Sequence, residues 1–309
     1  MAPGPRSPTG SSAADHRSGA PNNIVPQLSR LSDAWTTLAR RARLSHVAVQ
    51  WNVSAEFPPH LARTVPTPTG PASVAWVPTG WRVRYPDGAT YGVDRADGMV
   101  AVSISGHDHE SIPHFTRLAG PITALIMAVC DHYPLHACGL IVEGRMIALH
   151  APSGGGKSTL AALAARQGVE IAGDDLLAAT SEGVITALPG SLRITPELAP
   201  ESMRPVLTLP DGRGWYPLDP GTDMPLGALV LLERGAGVAL TPLRGVERLK
   251  AVLRAGFLSH LDPDPPKEFH ELVWRVSGQT KAWRLTLPGG LTEVDAAWPA
   301  IQRALAQAT

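Results

Sequence analysis

The chain has 309 residues, of which 27 are basic and 27 are acidic, so its formal charge is zero. This balance argues against a nucleic-acid-binding protein driven by bulk electrostatics, because such proteins carry a basic excess. Two cysteines are too few for a disulfide framework, and no apolar run is long enough to span a membrane. We therefore expect a cytoplasmic protein without a nucleic-acid or membrane partner.

The first part of the chain predicts a disordered leader followed by a small α+β module. Residues 1–22 are rich in Pro, Gly, Ser and Ala and offer almost nothing to bury. Residues 23–133 form the predicted module: a helix at 30–43, a β-meander at 72–105 with turns at Asp87-Gly88 and Asp97-Gly98, and a buried apolar helix at 115–130.

Residues 134–309 predict an α/β domain, because strand patterns alternate with helix patterns. Two apolar runs separated by Gly144 indicate a hairpin whose second strand leads into a glycine loop. A helix follows at 157–166, and a short buried strand at 169–173 ends at two aspartates. Further strands and amphipathic helices complete the domain.

The glycine loop, "APSGGGKS", fits the P-loop pattern except that Ala151 replaces the first glycine, which is tolerable at negative φ. Small residues let backbone N–H groups turn toward an anion, and the following helix adds its positive end. In this pattern Lys157, expected to face solvent, reaches the β- and γ-phosphates, and Ser158 ligates Mg²⁺. A flexible Gly-Ser linker is the alternative, but the strand and helix on either side disfavour it. The predicted phosphate-binding residues are Ser153, Gly154, Gly155, Gly156, Lys157, Ser158 and Thr159.

Asp174 and Asp175 are expected to return to this loop. The ten-residue helix carries the chain roughly 15 Å away and the next strand carries it back, parallel to the first. One carboxylate can then bind Mg²⁺ while the other accepts a proton from an attacking hydroxyl. The alternative is that the two acids cap a turn.

From residue 135 to residue 177 the sequence resembles the catalytic domain of HPr kinase/phosphorylase and related P-loop serine kinases. The later segments "LPGSLRITPE" and "PLGALVLLERG" are similar to smaller members of that family, some of which accompany ribosomal peptide biosynthesis, including that of lasso peptides. The resemblance implies a P-loop kinase fold and transfer of phosphate from ATP, with Mg²⁺, to a serine hydroxyl. The matching residues are Leu135, His136, Gly156, Lys157, Ser158, Asp174 and Asp175.

The resemblance also implies roles for individual residues. His136 should lie near the transferred phosphate, and one aspartate should be the general base. We favour Asp174 as the base, with Asp175 and Ser158 at the metal. Arg193, in a predicted loop, could stabilise transition-state charge; a surface arginine is the alternative. The glycine-rich signature and C-terminal helix that bind HPr are not visible, which argues against HPr as acceptor and against phosphorylase activity.

Several alternatives remain open at this stage. The acceptor could be a Ser or Thr hydroxyl of a peptide or protein, with a flexible peptide docked on strand edges of residues 72–105. A small-molecule kinase, a non-catalytic nucleotide-binding regulator and a carboxykinase-like enzyme are the rivals. Two zinc patterns are also present but not favoured: the first comprises Cys130, His132, His136 and Cys138, and the second His107, His109 and His114.

Overall fold

A computed structural model describes residues 24–51, 53, 56–65, 71–106, 111–219, 221–261 and 267–309. The predicted leader at 1–22 lies outside these residues, as do His107 and His109. The fold is mixed α/β, with helices packed against three sheets, as the sequence predicts at that level.

The first sheet contains the predicted meander and two additional strands. Helix α1, Ile24–Arg41, precedes it. The strands stand in the order β1-β6-β5-β4-β3-β2. Their bounds are β1 Val47–Trp51, β2 Arg63–Val65, β3 Ala72–Val77, β4 Gly80–Arg84, β5 Thr90–Ala96 and β6 Met99–Ser105.

Part of each outer edge of the meander is paired with another strand. Strand β1 runs parallel to β6 and pairs along five of its residues. Strand β2 pairs with residues 72–74 of β3. A peptide at the paired residues would have to displace an existing strand. Among the described residues, residues 75–77 of β3 pair with β4 alone, so peptide docking on residues 72–105 stays a prediction.

The predicted apolar helix at 115–130 forms as α2, Ile112–Arg117, and α3, Thr123–Val129, joined by a π-helical segment at Leu118–Ile122. Pro121 lacks an N–H group and widens the helix at this point. Among the described residues, this continuous stretch of 18 residues is long and apolar enough to cross a membrane, but 67% of it is buried inside the protein. That burial is typical of a core helix of a soluble protein.

The second sheet carries the glycine loop. Its main path has the order β10-β8-β9-β16-β12-β11-β7, and β18 and β17 extend it from β16. The bounds are β7 Tyr133–Leu135, β8 Cys138–Val142, β9 Arg145–His150, β10 Glu170–Gly173, β11 Leu177–Ala179, β12 Val184–Ile185, β16 Met224–Arg234, β17 Ala239–Leu243 and β18 Lys281–Leu287.

A small third sheet and the remaining helices of the described residues complete this part of the fold. The third sheet has the order β13-β15-β14, with β13 Gly190–Ile194, β14 Leu207–Thr208 and β15 Gly214–Leu218. The helices are α4 Lys157–Arg166, α5 Gly245–Ala255, α6 Leu258–Leu261, α7 Lys267–Gln279, α8 Leu291–Ala296 and α9 Trp298–Ala308. Short 3₁₀ turns lie at Pro59–Leu61 and Pro196–Leu198.

The prediction that the strand ending at the aspartates runs parallel to the strand before the glycine loop is confirmed. Strand β8 is antiparallel to both β9 and β10, so β9 and β10 run the same way with β8 between them. The β8–β9 hairpin turns at Gly144, whose φ of 71° favours glycine. Because β8 and β9 form this hairpin, β8 lies between β9 and β10.

Burial on both faces fixes the position of the second sheet. Ile147 and Leu149 of β9 pack toward α4, whose alanines let the helix approach closely. Met146 and Ala148 point the other way, into a core that also contains side chains of the first sheet. Alternate residues of a strand face opposite sides, so β9 is locked in register and its carboxyl end is fixed.

Candidate functional site

The glycine loop lies between β9 and α4, as the sequence predicts. Gly154 and Gly156 have φ values of 75° and 94°, and Ala151 is not among the residues with positive φ. A Cβ atom on Gly155 would lie 2.6 Å from the Cβ of Ala151. Larger residues therefore cannot form this turn, and the loop has the small-residue composition that an anion-binding backbone requires.

Lys157 begins α4 and bends back over the loop. Its Nζ donates a hydrogen bond of 2.9 Å to the carbonyl of Ala151. The residue is 6% exposed, so the expectation of a solvent-facing lysine is wrong. Burial lowers the pKa of the ammonium, and the nearby Asp174 carboxylate opposes that shift. Ser153 lies in the exposed part of the loop.

Asp174 returns to the loop at Ser158. The Ser158 hydroxyl donates to Oδ1 of Asp174 at 3.0 Å, and the backbone N–H of Arg193 donates to Oδ2 at 3.3 Å. Asp174 is 7% exposed. Burial raises the pKa of its carboxyl, while Arg193 and the Ser158 hydroxyl act in the opposite direction. Ser158 and Thr159 both lie in the first turn of α4.

Asp175 turns away from Ser158 and faces two other side chains. Its backbone has φ of 67°, a left-handed conformation that aspartate tolerates better than most residues. The carboxylate forms an ion pair with the guanidinium of Arg193. Its Oδ1 also lies 3.7 Å from Nε2 of His136. The left-handed turn thus sends neighbouring carboxylates in different directions.

Arg193 reaches the site from strand β13, not from the predicted loop. Strand β13 pairs with β15, where Trp215 stands opposite Arg193. The guanidinium carbon lies 5.7 Å from the centroid of the Trp215 ring. The surface-arginine alternative is therefore wrong, since 21% of the Arg193 side chain is exposed and its charge points into the site.

His136 follows β7 and is held by its backbone. Its N–H donates to Ala255, and its carbonyl accepts a hydrogen bond from Nδ1 of His150 at 2.8 Å. Burial, followed by the charges of Lys157 and Arg193, lowers the pKa of the imidazole to about 4. His136 is consequently neutral at pH 7.

The lowered pKa of His136 predicts a loss of stability in acid. An unfolded histidine titrates near 6.5 and the folded one near 4. The unfolded chain therefore binds more protons between these values, so stability is complete above that window and falls as the pH drops through it. At about pH 5 this effect should lower the free energy of unfolding of the wild type by about 2 kcal/mol, and we expect His136→Asn to lack that loss.

Urea denaturation of wild type and variant at neutral and acidic pH measures this difference. The raised pKa of Asp174 makes the folded state more stable in acid, but this effect is the same in both proteins. Exposed His46 provides the control substitution, His46→Asn. Equal acid sensitivity of wild type and His136→Asn would contradict a neutral, buried imidazole.

The described residues of the two zinc patterns do not converge on one site. Nδ1 of His132 is 2.7 Å from the Cys130 carbonyl oxygen, and its Nε2 is 3.0 Å from the Thr186 hydroxyl. His114 is buried with Nδ1 2.9 Å from the hydroxyl of Tyr91. In the described part of the chain, no group of three or more His, Cys, Asp or Glu residues could hold a metal ion. A magnesium ion held by one Ser, one Asp and nucleotide phosphates requires no such group.

A cavity of about 90 Å³ borders Asp174 on the face of the sheet opposite α4. Its walls come from α1, from the helical stretch at 112–129 and from the segment 170–191. The lining is mostly apolar, including Leu31, Phe115 and Met127, with Arg30 and Glu170 among the polar side chains. No sequence pattern indicated this cavity, because its walls are distant along the chain.

Comparison with known proteins adds no relative, since the sequence matches no protein-family model and no curated protein. A functional assignment therefore depends on the residues around the loop and on the chemistry that their arrangement permits.

Proposed function

We propose that this protein is an ATP-dependent kinase that transfers the γ-phosphoryl group of Mg·ATP to a Ser or Thr hydroxyl of a peptide or protein. The observation that carries the proposal is the contact between Ser158 and Asp174 at the glycine loop, with Asp175, His136 and Arg193 beside it. The resemblance to the HPr kinase family supports the same reaction and a P-loop kinase version of the α/β fold.

The residues present fit a magnesium nucleotide. The loop offers backbone N–H groups around left-handed Gly154 and Gly156, and Lys157 lies over it. Ser158 and Asp174 place a hydroxyl and a carboxylate oxygen 3.0 Å apart, and both are ligands that Mg²⁺ prefers. Bound Mg·ATP would supply the transferable phosphoryl group together with a charge that offsets the negative oxygens.

We assign the metal role to Asp174 and the base role to Asp175, which reverses the assignment favoured from sequence. Only Asp174 lies against Ser158, the P-loop residue that ligates the metal. Asp175 is more exposed, and it faces His136 and Arg193 rather than the loop hydroxyl. In the proposed reaction the oxygen of the acceptor hydroxyl bonds to the γ-phosphorus of ATP, and ADP leaves. Asp175 accepts the proton that the hydroxyl loses.

Arg193 and His136 assist the transfer. The Arg193 guanidinium is charged and oriented, so it can move from Asp175 to the phosphoryl oxygens, where it stabilises transition-state charge and frees the base. Neutral His136 can form a hydrogen bond to the acceptor or to Asp175 without adding charge. His150 is a positioning residue, because it contacts the His136 carbonyl.

The proposed acceptor is a flexible segment and not a folded surface. The chain has no net charge that would attract a large charged partner. A precursor peptide of ribosomal natural-product biosynthesis has this character. A free small molecule would also fit, and a non-catalytic regulator would bind nucleotide without turnover.

ADP release measured with and without candidate acceptors separates these functions. We expect release to rise when serine- or threonine-containing precursor peptides are added, with a matching phosphate on the peptide by mass spectrometry. Faster phosphorylation of free serine, threonine or a sugar than of any peptide would favour the small-molecule kinase. Nucleotide binding without acceptor-dependent release would favour the regulator.

A further inference from the structure

A second cationic side chain reaches the glycine loop from a distant part of the chain. Strand β16 runs parallel to β9, with Leu231 paired to His150, and extends three residues further to Arg234. A Cβ atom on Gly156 would lie 2.8 Å from Nη2 of Arg234. The guanidinium therefore lies directly against the N-terminal cap of α4.

The Arg234 side chain is oriented by a backbone carbonyl and not by an acid. Its Nη1 donates a hydrogen bond of 2.8 Å to the carbonyl oxygen of Pro288. The neighbouring Glu233 is engaged elsewhere, since it pairs with Arg284 at 2.9 Å. Among the described residues, no carboxylate lies within ion-pair distance of Arg234. Within the part of the chain that the structure describes, its charge is thus held beside Gly156 without an acidic partner.

Three positive contributions converge at this point. The ten-residue helix α4 presents its N-terminal N–H groups, Lys157 lies over the loop, and Arg234 lies against Gly156. An arginine fork can form two parallel hydrogen bonds to a phosphate group. The arrangement suits an anion with several charges better than a single phosphate.

We propose that Arg234 is a phosphate-binding residue that contacts the terminal phosphates of the nucleotide over Gly156. This inference rests on the proposed nucleotide site and adds a specificity for nucleoside di- and triphosphates over monophosphates. Removing the guanidinium should weaken ATP and ADP binding about tenfold, because a hydrogen bond to a charged group of this kind contributes that much to affinity. AMP binding should change little.

Isothermal titration of the full chain with ATP, ADP and AMP tests the inference. The variants are Arg234→Gln, Arg234→Lys and the control Arg145→Gln, which removes a positive charge from the exposed start of β9, at the end of that strand opposite the loop. We expect Arg234→Gln to lose ATP and ADP affinity, Arg234→Lys to retain part of it, and Arg145→Gln to match wild type.

The outcomes separate this inference from the proposed function. Wild-type ATP binding with equal affinity in Arg234→Gln overturns the role of Arg234 and leaves the proposed function standing. Absence of nucleotide binding by the wild type overturns both. If Arg234→Gln fails to fold, the test depends on Arg234→Lys. Lysine keeps the positive charge but lacks the paired N–H groups of the guanidinium. Wild-type ATP and ADP affinity in Arg234→Lys would then contradict the proposal. A lowered melting temperature with unchanged ADP affinity assigns Arg234 a purely structural role.

Discussion

Lys157→Ala is expected to abolish phosphoryl transfer. Its ammonium lies over the loop, 2.9 Å from the Ala151 carbonyl oxygen, where it can stabilise charge on the terminal phosphates. Losing one preorganised contact of this kind costs at least about 3 kcal/mol of transition-state stabilisation, so turnover should fall about 100-fold or more. The initial rate of ADP release at saturating ATP measures the effect.

The control for this variant is Lys281→Ala. Lys281 is an exposed lysine at the start of β18, which runs parallel to β16, so it lies at the end of the sheet opposite the loop. Because Lys157 is only 6% exposed, thermal melting must accompany the rate measurement to separate lost chemistry from lost folding. A folded Lys157→Ala protein with wild-type turnover would refute the phosphate loop.

Asparagine substitutions at positions 174 and 175 are expected to have different effects. Asp175→Asn should lower transfer by about 10²–10⁴-fold while retaining Mg·ATP affinity, because an amide cannot accept the proton. Asp174→Asn should instead raise the Mg²⁺ concentration required for half-maximal turnover by about 10- to 100-fold, since it weakens the metal site. Turnover measured against Mg²⁺ concentration shows both effects.

Asparagine is the appropriate replacement because of the backbone at position 175. The φ of 67° there is one that asparagine adopts readily and alanine does not. The substitution therefore removes the base without straining the turn. If Asp174→Asn loses transfer at unchanged Mg²⁺ dependence while Asp175→Asn shifts that dependence, the two roles are the reverse of those proposed.

The parts of the site that could be predicted depend on local spacing. The strand, glycine loop and helix are contiguous, and the bounds of α4 match the prediction. The return of Asp174 to Ser158 follows from the length of one helix and one strand. Pro121, by contrast, lies in a segment where the predicted α-helix becomes π-helical, because its backbone hydrogen bonds change.

The parts that were missed depend on contacts between distant segments. Arg193 was expected in a loop, and its place on β13 depends on pairing with β15, where Trp215 lies opposite. Arg234 reaches the loop only because β16 pairs with β9 in one register. The parallel pairing of β1 with β6 likewise joins residues about fifty positions apart, and no local pattern indicated it.

Titration calorimetry of the wild-type protein with ATP, with and without Mg²⁺, tests the central claim most directly, because it requires no knowledge of the acceptor. We predict one nucleotide site per chain, with an affinity between about micromolar and about millimolar, the usual range for enzyme substrates. We also predict that binding weakens when a chelator removes Mg²⁺. Absence of ATP binding in this range by a folded protein would contradict the account.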